Sequence, residues 1–373
     1  DGTVSIWQMN GADTADVAAP IKLNNAWHVE TVADFDGDGL DDLLWRDVNT
    51  NNMAVWTTNG GETPSFGSSF KGPGTSWSLS ATADFNGDGT EDMLWKNAST
   101  NKFAVWEMDG ATPNFGASVA IPTGWDIYKT GDFGGDGATD LLMRNTSGRL
   151  AVWEMDGTAT PTYGSSVAVS NDWQVIHVGK LNTDDATDDL LLRNTVDGRV
   201  TVWEMHGGST PDFGSSTALG KNWSLHTAAD FDGDGDDDTL WIDSAAGKFA
   251  IWEMSGTDAP AFGSSISLPG DYTIAGTGDF DGDGATDLLL RSAGSGRVAV
   301  WQMDGNQVEA FGSSIALDPS WEIVKVQEMS GDGKDDVMLQ QASTGRIEIW
   351  EMDGIQIGDS GTAATIGNEW TFI

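Results

Sequence analysis

The sequence predicts an all-β fold: a single β-propeller of four-stranded blades. Three observations predict it. Tryptophans recur on a ladder of about 49 residues, each period holds four strand-length apolar stretches, and Gly-rich turns separate them. One tryptophan series is Trp7, Trp56, Trp106, Trp153, Trp203, Trp252, Trp301 and Trp350, mostly within phrases like Ala-Val-Trp-Glu-Met-Asp-Gly. A second is Trp27, Trp77, Trp125, Trp173, Trp223, Tyr272, Trp321 and Trp370, and a sparser third is Trp45, Trp95 and Trp241. Together they use all 18 Trp, so each sits at a repeat-phased position and reads as packing between blades before it reads as a ligand platform.

Each stretch of one period can be justified in order. Residues 125–133 form strand A, and 134–139 a Gly-rich loop. Residues 140–144 form strand B; a turn at 145–148 leads to strand C, 149–155. After a Thr160-Pro161 loop, Tyr163-Gly-Ser-Ser166 opens strand D, through Val169. All are Val/Leu/Trp-rich and bounded by Gly, Asn, Asp or Pro, and none shows a helical period. Repeats start near 27, 77, 125, 173, 223, 272 and 321 within one domain spanning 1–373. Strands A, C and D occur eight times and strand B seven. Eight blades are therefore expected, the closing one built incompletely from 1–26 and 370–373. Seven blades is the alternative, but it leaves three strands with exposed edges. Neither Ala12–Ala19 nor Ile355–Gly361 carries the Phe-Gly-Ser-Ser phrase of the interior units.

The A–B loop carries the chemistry. Asp34, Asp36, Asp38 and Asp42 place oxygen donors at loop positions 1, 3, 5 and 9, with Gly39 at 6 for a sharp turn and the Leu40 carbonyl at 7. A tight coil brings alternate side chains onto one centre, which is the opening rhythm of an EF-hand; hard oxygens without nitrogen or sulfur suit Ca2+. Three further copies are complete: Asp84, Asn86, Asp88, Thr90 and Asp92; Asp230, Asp232, Asp234, Asp236 and Asp238; Asp279, Asp281, Asp283, Ala285 and Asp287. Two are weaker. Asp132, Asp136, Ala138 and Asp140 lack a side chain at Gly134, where water can substitute, and Glu328, Ser330, Asp332, Lys334 and Asp336 depart at two places. The loop at 180–189 begins with Lys180, lacks the sixth Gly and carries an insertion, so no calcium is expected there. Four strong and two weaker Ca2+ sites result.

Over half of the 58 acidic residues lie in these loops, so the net charge of -40 is gathered rather than spread as a coat. Such a chain repels nucleic acid and anionic lipid. No cysteine is present, which excludes disulfides, thiolate zinc sites and thiol catalysis, and no apolar run approaches a membrane span. The chain opens at Asp1 rather than Met and reads as a mature or excised segment.

Asp-x-Asp-Gly-Asp-Gly-x-x-Asp-Leu-Leu loops with preceding Phe-Gly phrases resemble FG-GAP/VCBS repeats, the blades of integrin α-subunit propellers and of many bacterial surface proteins. The resemblance implies a propeller with calcium in the A–B loops, on Asp34, Asp36, Asp38, Asp42 and their counterparts. It leaves the ligand open, since such proteins include adhesins, lectin-like proteins and non-catalytic parts of enzymes. The expected function is an extracellular or cell-surface binding or adhesion module for protein or glycan. A lectin with sugars between blades is one alternative, for which Arg46, Arg144, Arg193 and Arg291 on strand B and Arg149, Arg199, Arg297 and Arg346 near strand C are candidate contacts. Pairing of these arginines with neighbouring acids is the competing expectation. The other alternative is part of a polysaccharide-degrading enzyme. However, His28, His177, His206 and His226 fall on differing repeat phases, and no catalytic constellation stands out, so no enzyme is expected. Unpaired terminal strands leave both a monomer and edge-mediated assembly open.

Overall fold

The computed structural model describes residues 3–13, 16–18, 20–60, 63–183, 185–258 and 260–366. Among them there is no helix, and hence none long and apolar enough to cross a membrane. Seven antiparallel sheets follow the chain in strict order A-B-C-D. In the third blade these strands are Trp125–Gly131, Asp140–Asn145, Arg149–Glu154, and a strand D divided into Thr162–Tyr163 and Val167–Ala168. Strand D is thus two short pairings instead of the single run expected over 163–169. Gly164 and its neighbours step out of the ladder between them.

Strands B and C form the core of each blade. Both run buried on both faces, as in Leu141, Leu142, Met143 and Leu150, Val152, Trp153, because adjacent blades cover them from either side. The strand C tryptophans from Trp56 to Trp350 are buried, and Trp45, Trp95 and Trp241 are almost wholly enclosed, as packing residues should be. Trp45 stacks on Trp56, Trp95 on Trp106 and Trp241 on Trp252 at centroid distances of 4.8–5.4 Å.

Strand A carries a β-bulge in every one of the seven blades, at Glu30, Ser80, Tyr128, Ile176, His226, Ala275 and Val324. A bulge adds twist to its strand. Its seven occupants share no chemistry, which is why the sequence does not announce it.

The ring closes through the N-terminal strands. Thr3–Val4 pairs with Ile21–Lys22, and Trp7–Gln8 with Asp16–Val17. Trp7 and Met9 pack into the seventh blade against Ile347 and Ile349. Val4, Ile6 and Ile21 pack into the first blade against Trp45 and Trp56. Two two-stranded sheets therefore form an eighth, partial blade between first and last, and the described residues make an all-β propeller. The contribution expected from 370–373 lies outside the described residues.

Candidate metal centre

Each A–B loop is held by its own carboxylates before any ion is considered. In the first loop Asp34 accepts N–H groups from Gly37 (2.7 Å) and Gly39 (2.9 Å), and Asp38 accepts from Leu40 (2.9 Å). Gly37 and Gly39 have φ of 74° and 86°, a left-handed backbone that lets the loop coil around position 1. The pattern repeats at Asp84, Asp132, Asp230 and Asp279. Glu328 uses its extra methylene and still accepts from Gly331 and Gly333.

Position 9 is the most enclosed. Asp42, Asp92, Asp140, Asp238, Asp287 and Asp336 are at most 1% exposed. Each uses one oxygen for a strand C N–H, as Asp287 does for Met303 (2.9 Å), and the other for the start of its loop, as with Phe280 (3.2 Å). The sequence marks these residues as closing ligands; it does not show that they also join loop, strand B and strand C.

Among the described residues, three loops gather carboxylates tightly enough that they could hold a metal ion. The groups are Asp34, Asp36 and Asp42; Asp230, Asp232 and Asp234; and Asp279, Asp281 and Asp287, with oxygens within 4.8 Å of one another. An all-oxygen set of that compactness fits a hard divalent cation. In the second loop Asn86 directs its amide nitrogen to Asp88 (2.9 Å) and accepts the Asp88 N–H on its oxygen. Gly134 leaves its place open in the third. In the seventh, the Lys334 ammonium turns away to Asp353 (2.5 Å).

The fourth loop is built differently. Lys180 Nζ donates across it to the Ala186 carbonyl at 3.0 Å, and Asn182 Nδ2 bonds Asp189 (2.9 Å). His206 stands 3.9 Å from Asp185, where most other blades carry an Asp in the Met-Asp-Gly phrase. Lys180 is the one basic residue at a first loop position, where the other six loops present a carboxylate.

Crowding raises the proton affinity of these groups. Burial, then the neighbouring Asp38 or Asp283, pushes Asp36 and Asp281 up, and burial with Asp234 takes Asp232 to about 6. Burial takes Asp42, Asp92, Asp140, Asp189 and Asp287 to about 7 and Asp238 to about 8, against the pull of their backbone donors. A native pKa above the unfolded value near 3.9 means that the folded chain holds the proton more tightly. That stabilisation is complete below about pH 4 and is lost as pH rises through about 7. In chelator, the thermal midpoint is therefore expected to fall between pH 5 and pH 8; differential scanning calorimetry across that range checks it, and a rising midpoint contradicts it.

Adjacent loops are tied together. The position 8 N–H of each loop donates to the position 1 carbonyl of the preceding one, from Glu91 to Asp34 through Asp335 to Asp279, at 2.5–2.7 Å. The Gly after strand C donates to the preceding loop's position 2 carbonyl, as Gly110 does to Phe35 (2.8 Å) and Gly11 to Met329 (2.7 Å). Five strand C glutamates, Glu107, Glu154, Glu204, Glu253 and Glu351, accept an N–H from the following sheet. The repeated Trp-Glu-Met phrase marks these glutamates in the sequence but gives no sign of the partner that each one latches.

The other candidates have local partners. Arg46 pairs with Glu30, Arg199 with Asp197 and Arg346 with Glu348. Arg144, Arg193 and Arg291 instead donate to the backbone carbonyls of Trp173, Gly220 and Trp321, and Arg149 and Arg297 to Ser166 and Ser314. Acid pairing thus accounts for three of these eight arginines. His28 and His206 pair with Glu30 and Asp212 within their own blades, whereas His177 reaches Asp237 in the loop of the next blade.

A propeller whose blades carry coiled acidic loops at a fixed phase is a repeat protein of a definable class. Residues 34–95 and 230–290 match the family model of the FG-GAP-like repeat. No curated protein matches the chain. Similar solved structures include a chain from BBS1N in complex with ARL6DN, 13% identical over 90% of this chain and 94% of that one with a TM-score of 0.44. The Myceliophteria thermophila Cps50 (Swd1) β-propeller domain is 12% identical over 87% and 96%, with a TM-score of 0.44. A streptogramin B lyase structure is 10% identical over 90% and 94%, with a TM-score of 0.41.

Proposed function

We propose that the chain is a calcium-braced binding module of an extracellular or cell-surface protein, with protein or glycan as ligand. The observation that carries the reading is the gathering of three carboxylate triads within 4.8 Å, at repeat-phased loops bonded to their neighbours. Calcium would supply the positive charge that these groups otherwise take from protons, held by Asp34, Asp36 and Asp42 and the corresponding residues. Exposed all-oxygen sites of extracellular modules bind at roughly 10⁻⁴–10⁻³ M, a concentration found outside cells. The braced loops occupy one end of the blades, which leaves the channel, the outer clefts and the opposite end to a partner. Calorimetric titration of the metal-free chain is expected to saturate at about four Ca2+, one per complete loop. An isotherm without heat at millimolar calcium overturns the reading.

A further inference from the structure

The outer clefts carry a further inference. Phe66, Phe115, Tyr163, Phe213 and Phe311 each end the first segment of strand D, and all are more than half exposed. Each stands edge-on to the strand C tryptophan beside it, at centroid distances of 4.6–4.9 Å and 75–86°. Such T-shaped contacts hold each ring upright instead of letting it fold onto the sheet. Exposed aromatics at one repeated place on the rim are unlike scattered surface apolar residues, which need no explanation.

Between the second and third blades the rim opens into a cleft of about 440 Å³, lined by Pro122, Trp125, Ala151, Trp153, Tyr163 and Ser166. That lies within the roughly 300–1,000 Å³ of small-ligand pockets. One blade earlier, the corresponding space is filled. Phe70 packs its ring 6.3 Å from Trp106 and 6.4 Å from Phe115. Phe70 pairs with Met53 on strand C, and the residue at the same register in the next blade is Val119, which pairs with Phe103. A smaller side chain at this one position accompanies the open cleft.

We propose that this cleft binds a neutral pyranose. One face of a pyranose is a patch of C–H groups that packs on an aromatic ring such as Tyr163, while its hydroxyls need donors and acceptors at the edge. Ser166 supplies these: its Oγ accepts from Arg149 Nε at 2.9 Å, which leaves its own proton to donate. The lining holds no carboxylate or ammonium. A chain of net charge -40 repels anionic sugars, and a cationic ligand is drawn to the acidic loops in preference to an uncharged cleft.

The proposal rests on the binding-module reading and names its ligand class. The test is saturation-transfer NMR with methyl glucoside, galactoside, mannoside and fucoside on the full chain, with thermal melting in calcium and in EDTA on the same samples. At least one glycoside is expected to receive saturation. Val119→Phe, which copies the filled cleft of the preceding blade, is expected to weaken that binding at least about tenfold. Tyr163→Ala, at an exposed position where folding is not at stake, is expected to do the same. Absence of transfer to all four glycosides, or equal binding by both variants, overturns the sugar site while calcium-dependent melting persists. Loss of any calcium effect on melting instead sinks the module reading itself.

Discussion

Chelation is expected to lower the melting midpoint of this chain by on the order of 10 °C at pH 7.5, as expected for a loss of several kcal/mol. A ligand that binds only the folded form stabilises it by RT ln(1 + [L]/Kd), about 1–2 kcal/mol per site in 5 mM calcium at a dissociation constant of roughly 10⁻⁴–10⁻³ M. Four complete loops then contribute on the order of 4–9 kcal/mol, a large share of the roughly 5–15 kcal/mol net stability of ordinary domains. Without the ion, the carboxylates of Asp230, Asp232 and Asp234 face one another across less than 4.8 Å. Protons relieve them only below neutral pH. Circular dichroism melts in 5 mM calcium and in EDTA at pH 7.5 provide the comparison, and coincident curves rule the bracing role out. Magnesium restores less than calcium if loop size matters, because it demands a stricter octahedron.

The second large effect concerns position 9, where the carboxylate is structural whether or not metal is bound. Asp287→Ala leaves the N–H groups of Phe280 and Met303 without acceptors in a fully buried setting. Each buried, unsatisfied donor costs roughly 1–3 kcal/mol, so a loss of about 2–6 kcal/mol is expected. Asp189→Ala makes the discriminating case. That residue serves Met205 N–H and the Asn182 amide in the fourth loop, where Lys180 stands in place of a cation. Its destabilisation is expected to be equal in calcium and in EDTA, as read by urea denaturation. Asp279→Ala removes a carboxylate whose partners, Gly282 and Gly284, are exposed, and it acts chiefly through the calcium response. An Asp189→Ala variant that unfolds at the wild-type midpoint disproves the structural role of position 9.

The blade architecture and the loops were legible because both depend on spacing. Trp153 follows Trp106, and Asp140 follows Asp92, at intervals that only a repeat explains. The broken loop was equally legible, since Lys180 changes the charge at position 1. What stayed hidden depends on where a neighbouring blade lies. Glu154 reads as a solvent-facing strand residue until Gly208 of the next blade brings its N–H to 2.9 Å. Arg144 reads as a partner for an acid, but the Tyr128 ring beneath it and the Trp173 carbonyl satisfy it instead. The strand A bulge has no side-chain signature because Glu30, Ala275 and Val324 fill it equally well. Open and filled clefts differ by Val119 against Phe70, a contrast that reads as routine apolar variation along one chain.

The bonds between consecutive loops make damage travel sideways. Each turn receives the amides of its successor, so a turn that uncoils withdraws acceptors from the adjoining sheet before its own strands B and C let go. Disruption then runs around the circumference like a zip, and the place where a zip starts is its shortest closure. That place is the junction at Gly11 and Met329, where two-residue pairings at the N-terminal end meet the seventh blade.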